Sequence, residues 1–130
     1  MAAAPAAADN PSVMGARRTF RATVSVPANG RSSVTLAGAL DLNAAAAFRE
    51  ALVRAIDEGS RRVVVDLSRV TFIDSTALGV IVGGLTRLRA VDGTLEVICP
   101  DGELRRIFEV SGLDRVLDIA ASREEAATGA

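Results

Sequence analysis

Along Thr19 to Val26 the apolar residues Phe20, Ala22, Val24 and Val26 alternate with polar ones, the period of a strand buried on one face. Pro27-Ala28-Asn29-Gly30 follows, a turn signal because Pro pre-sets its own φ and Asn and Gly tolerate positive φ. Ser33 to Leu40 reads as a second strand, so the chain is predicted to open with a hairpin. From Asn43 the period changes. Ala44, Phe48, Ala51, Leu52, Ala55 and Ile56 recur every three or four residues, the stripe of an amphipathic helix. Asp41 or Asn43 is available to cap its start and Gly59 to end it.

Arg62 to Leu67, RVVVDL, is a short apolar run expected of a central strand. A second helix is predicted over Asp74 to Val91, a strand over Thr94 to Cys99, and a third helix over Asp101 to Val110, stopped by Ser111-Gly112. Val116 to Ile119 suits a short edge strand and Ser122 to Ala127 a last helical turn. This order predicts an α/β fold, a small mixed sheet of four to five strands packed against about four helices. The boundaries implied are an Ala/Pro-rich flexible tail over 1–15, one domain over 16–122 and a short tail over 123–130.

Composition narrows the chemistry. At 130 residues with four Phe and no Tyr or Trp, the core must be aliphatic. All 15 basic residues are arginine, and histidine is absent. That excludes a Schiff-base lysine, a phosphate-loop lysine, an imidazole base and a His-ligated metal, so no metal or cofactor is expected. A net charge of −1 with interspersed signs gives no basic field for a nucleic-acid backbone. The single Cys99 suits a reducing cytosol, and its expected role is a small buried hydrophobe. No run reaches the length needed to span a membrane, and no signal-peptide pattern opens the chain, so a cytoplasmic location is expected.

Residues 72 to 80, FIDSTALGV, set three small polar residues between two apolar segments. Asp74 is well placed to cap the second helix, which leaves Ser75 at its first position with a hydroxyl the backbone does not need. Serine is common near helix starts without any further role. As a nucleophile Ser75 lacks an imidazole base and a G-x-S-x-G elbow. As a phosphate acceptor it is well situated, because the added charge meets free N–H groups and the positive end of the dipole. On a helical wheel with Ser75 at zero, Leu78, Ile81, Val82, Leu85 and Leu88 span about 220° to 340° and are expected to face the core. Ser75, Gly79, Gly83, Thr86 and Ala90 form an adjacent strip of mostly small residues. Spacing leaves two explanations for it, close packing within the fold or a bare docking surface.

Gly38-Ala39-Leu40-Asp41, VVVDLSRVTFIDSTALGVIVGGL over 63–85 and RIFEVSGL over 106–113 together resemble the STAS-domain anti-sigma-factor antagonists, bacterial regulators of sporulation and general stress response. The resemblance runs from about residue 18 to 121. It implies that Ser75 is phosphorylated by the anti-sigma factor, an ATP-dependent serine kinase with a histidine-kinase-like fold. The unphosphorylated form would bind that kinase and release the sigma factor, and a metal-dependent serine phosphatase would restore it. Asp41, Asp74, Ser75, Thr76, Gly79 and Gly83 would form the partner-binding face, and the protein would be a substrate and not an enzyme. Two positions depart from the family pattern. Ala39 replaces the usual Glu of the Gly-Glu-Leu/Ile-Asp loop, and Ala77 replaces a Gly, which should stiffen the helix start. The competing reading is a sensory or scaffolding STAS module that never switches. A receiver domain using Asp66 is disfavoured because the lysine it needs is missing.

Overall fold

The computed structural model describes residues 20–25 and 31–122. Five strands form one sheet: β1 (Arg21–Ser25), β2 (Arg31–Leu40), β3 (Arg62–Ile73), β4 (Thr94–Ile98) and β5 (Asp118–Ala120). Their spatial order follows the chain, β1-β2-β3-β4-β5. The first pair is antiparallel, Arg21 opposite Ala37 through Ser25 opposite Ser33, and every later pair is parallel. Each parallel step is bridged by a helix: α1 (Leu42–Asp57), α2 (Ser75–Arg89) and α3 (Gly102–Ser111). Right-handed crossovers that always advance in one direction place all three helices on the same face of the sheet. The main core lies between them. It takes Val34 and Leu36 from β2, Val63, Val65 and Leu67 from β3, Leu95 and Val97 from β4, and Phe48, Ile81 and Phe108 from the three helices.

The mixed sheet of five strands agrees with the expected architecture. Three α-helices and a 3-10 turn (Leu113–Arg115) stand among the described residues, against about four helices expected. The fourth, expected over Ser122 to Ala127, falls almost wholly outside the described residues, as does the turn at 27–30.

β3 is twice the expected length and ends at Ile73 rather than Leu67. The cause is two register shifts against β2. Between Thr35 opposite Asp66 and Ala37 opposite Arg69, β3 advances one residue more than its partner. It does so again between Gly38 opposite Val70 and Ala39 opposite Phe72. Each extra residue resets which side chains face inward, so burial passes from Val63, Val65 and Leu67 to Val70 and then Ile73. A strict period of two is lost after Leu67, and with it the strand signal. Asp66 holds the first irregularity: its Oδ1 accepts from the Ser68 amide at 2.9 Å and from the Ser68 hydroxyl at 2.6 Å. At the second, Gly38 has φ +99, a conformation a side chain would strain.

Candidate functional site

The two irregularities bring β3 to its end beside the end of β2. Leu40 and Ile73 are register partners, and the Asp74 amide donates to the Leu40 carbonyl at 3.2 Å. The next residue on each strand is therefore an aspartate, and each aspartate starts a helix. Asp41 (φ −104, ψ −171) caps α1 by accepting from the Ala44 amide at 3.1 Å. Asp74 (φ −113, ψ −178) caps α2 by accepting from the Ala77 amide at 3.1 Å. Two helix N-termini with the same cap chemistry thus stand side by side at the carboxyl end of the parallel strands. In α/β sheets that end is where ligands and partners are received.

Because Asp74 makes the side-chain cap of α2, Ser75 at its first position has no capping duty. Ser75 and Thr76 are both exposed, and Asp41 and Asp74 are half-buried behind them. The amides of Ser75 and Thr76 belong to the set a helix start leaves without intrahelical partners. An anion attached to the Ser75 hydroxyl would lie on the positive end of the α2 dipole. The Ala77 side chain is fully buried, packing where the family pattern has glycine.

The strip running away from Ser75 faces outward. Gly79 and Gly83 are exposed, and a Cβ built on either would meet nothing within 4 Å. Thr86 and Ala90 are exposed as well. Of the two explanations left open by spacing, internal packing does not apply to these glycines. It applies instead to Gly84, whose added Cβ would stand 2.5 Å from Leu52 Cδ2 and 3.1 Å from Leu52 Cγ. The buried residues of α2 are Ala77, Ile81, Gly84, Leu85 and Leu88. On the wheel these centre near about 225°, some 55° from the centre of the stripe predicted from side-chain hydrophobicity. The shift buries Ala77 and Gly84 and turns Val82 outward, where it is 41% exposed. Small residues are what lets α1 approach so closely, so their burial follows from packing and not from their own apolarity.

Two large apolar side chains at this end were not singled out by spacing. Phe72, one residue before the end of β3 and on the opposite side of the strand from Ile73, is 50% exposed. Leu42, the first residue of α1, is 70% exposed. Cys99 is fully buried, and burial pushes its thiol upward from the ordinary value, against a smaller opposing effect of Arg105. That is the state of an unreactive structural thiol. Asp66, the acceptor a receiver domain would need, is buried and committed to the Ser68 turn. Among the described residues no group of three or more acidic, Cys or His side chains could hold a metal ion, and no helix is long and apolar enough to cross a membrane.

Five strands in this order, with three crossover helices on one face and an Asp-Ser-Thr helix start at the carboxyl end, define a STAS-type domain. The STAS domain model matches residues 24–126, and the chain belongs to the STAS-domain family of anti-sigma factor antagonists. Similar proteins include BtrV of Bordetella bronchiseptica, 40% identical over 76 residues, which are 58% of this chain and 66% (just under two thirds) of that protein. The anti-sigma-B factor antagonist of Bacillus subtilis is 34% identical over 91 residues, 70% of this chain and 83% of that one. Among solved structures, the anti-sigma factor antagonist SpoIIAA in its unphosphorylated form superposes with a TM-score of 0.70 at 27% identity, covering 82% of this chain and 93% of that one. The phosphorylated form of the Bacillus SpoIIAA superposes with a TM-score of 0.65, also at 27% identity, covering 83% and 97%.

Proposed function

We propose that this protein is a cytoplasmic anti-sigma factor antagonist whose partner binding is switched by phosphorylation of Ser75. The unphosphorylated form binds an anti-sigma factor that is an ATP-dependent serine kinase, and this binding frees the sigma factor. The kinase transfers phosphate to Ser75 and binding ends. A metal-dependent serine phosphatase removes the phosphate. The observation that carries this reading is the exposed Ser75 hydroxyl at the first position of α2, left free because Asp74 makes the cap. Family membership and a relative solved in both phosphorylation states add support.

The physical basis of the switch is local. A phosphoserine at 75 adds about −1.5 to −2 charges beside Asp74 and Asp41. The α2 N-terminus accommodates that charge, so the fold need not rearrange. Docking is lost through bulk and repulsion at the contact, and Ser75→Asp, with one charge and less volume, reproduces only part of the effect. Incubation with ATP and the serine-kinase anti-sigma factors of the source genome, followed by mass analysis with fragmentation, is the test. A single phosphate on Ser75 is expected; one on Thr76 or Ser68 would overturn the assignment. Amide shifts confined to residues 74–79 and the Asp41 turn support a local switch, and shifts across the sheet would replace it with a conformational one.

A further inference from the structure

Leu42 stands in α1 where Ser75 stands in α2. Each is the first helical residue, each follows a capping aspartate, and each aspartate follows one of the register partners Leu40 and Ile73. Helices that pack directly have axes roughly 8–10 Å apart, so Leu42 and Ser75 are neighbours across a gap that one docking surface spans. The fold itself makes no use of the Leu42 side chain. The buried face of α1 is Ala44, Ala45, Phe48, Ala51, Leu52 and Ala55, and Leu42 projects about 120° away from Phe48, the middle of that face. Side chains on a helix lean toward its N-terminus, which points Leu42 out of the end that carries Ser75. It is 70% exposed there, behind a half-buried Asp41.

We infer that Leu42 is an affinity- and specificity-determining anchor for the anti-sigma factor, inserted into an apolar pocket of that partner when it docks over Ser75. The inference rests on the proposed function and adds to it a residue of α1 rather than of the Asp-Ser-Thr helix. The occupant is a protein face, since an aliphatic side chain beside two helix-capping aspartates offers nothing to a phosphate or a nucleic acid. The aspartates at 41 and 74 call for cationic groups around the pocket, which hold the complex in register. A large apolar side chain that becomes fully desolvated at the centre of a contact is the type that dominates binding. It also gives a phosphate on the neighbouring helix start a way to block docking: closing an apolar contact over Leu42 would force the adjacent dianion out of water.

The test is a titration of the unphosphorylated full chain against each serine-kinase anti-sigma factor of the source genome, purified. Leu42→Gln should weaken binding to the partner of the wild type by about tenfold or more. Leu42→Met should retain binding within about threefold, and Val110→Gln should have no effect. Val110, at the far end of α3 and 83% exposed, controls for loss of any surface apolar group. Melting temperature should be the same for all four proteins. Binding by the wild type with equal binding by Leu42→Gln overturns the anchor and leaves the proposed function standing. Equal losses for Leu42→Gln and Val110→Gln, or loss of binding by Leu42→Met, also overturn it. Failure of the wild type to bind any of these kinases removes the proposed function and the anchor together.

Discussion

Gly83 and Gly84 are adjacent in α2, about 100° apart around its axis, and meet different surroundings. A methyl group on Gly83 would enter open space, and one on Gly84 would collide with Leu52 of α1. Interior glycines cost a helix roughly 1 kcal/mol each relative to alanine. At Gly84 that cost is recovered in packing, because the absent side chain lets two helices close over the sheet. At Gly83, and at Gly79 one turn earlier, nothing in the fold recovers it. The same residue type therefore serves stability on one side of α2 and leaves the other side bare, and the bare side is the one continuous with Ser75.

The largest effect expected from breaking this contrast is on the inner side. Gly84→Val should destabilise by about 1–3 kcal/mol, because Leu52 is itself enclosed and cannot swing into free volume. For a domain near 100 residues that corresponds to a fall in melting temperature of roughly 5–20 °C. A thermal scan matching the wild type would show that α1 yields, and that Gly84 is no tighter than Gly83.

The next effect is at the twin helix starts. Asp74→Ala should cost about 1 kcal/mol through loss of the bond from the Ala77 amide, and Asp41→Ala a similar amount at α1. Asn at either position retains the cap, so Asp74→Asn should unfold at the same denaturant concentration as the wild type. Equal stability of Asp74→Ala and the wild type would mean that Ser75 is not relieved of capping, and would undercut the argument for a free hydroxyl.

The outer side should respond with the opposite sign. Gly83→Ala and Gly83→Arg both replace glycine by a good helix former in open space, and both should gain up to about 1 kcal/mol. Only Gly83→Arg should also abolish partner binding, by filling the approach to the strip. Denaturant midpoints and affinities measured on the same samples check both points. A destabilised Gly83→Arg would place this glycine inside the fold.

The contrast also marks where the chain is readable and where it is not. Alternation in β1 and the three-and-four spacing in α1 report local geometry, and both elements were legible from them. The cap at the Asp-Ser-Thr start was legible because it is a property of neighbouring residues. The orientation of α2 was not. Hydrophobicity assigns Val82 inward and is silent on Gly84, since the burial of a glycine is decided by how closely Leu52 of another helix approaches. The far half of β3 was hidden for a similar reason. Its inward residues, Val70 and Ile73, are three apart only because of register shifts against β2, a strand more than twenty residues earlier. Leu42 carries no signal in the sequence because an isolated apolar residue at a helix start has no period. Its interest comes from standing beside Ser75.

The smallest expected effect on stability belongs to Ser75, the residue on which the proposed switch rests. Ser75→Ala removes an exposed hydroxyl from a helix start already capped by Asp74, so stability should stay within about 0.5 kcal/mol of the wild type. Alanine is also a better helix former than serine, which offsets any small loss at the first turn. The variant should bind the anti-sigma kinase as the unphosphorylated wild type does, and should continue to bind after prolonged incubation with ATP, when the wild type has been released. Holding the two proteins on an immobilised kinase and adding ATP separates the alternatives in one experiment. Release of Ser75→Ala at the wild-type rate would move the switch off this residue, most directly to the equally exposed Thr76. Retention of both proteins would favour a scaffold that binds without switching, and the bare outer face of α2 would then be a permanent contact surface rather than one that a phosphate opens and closes.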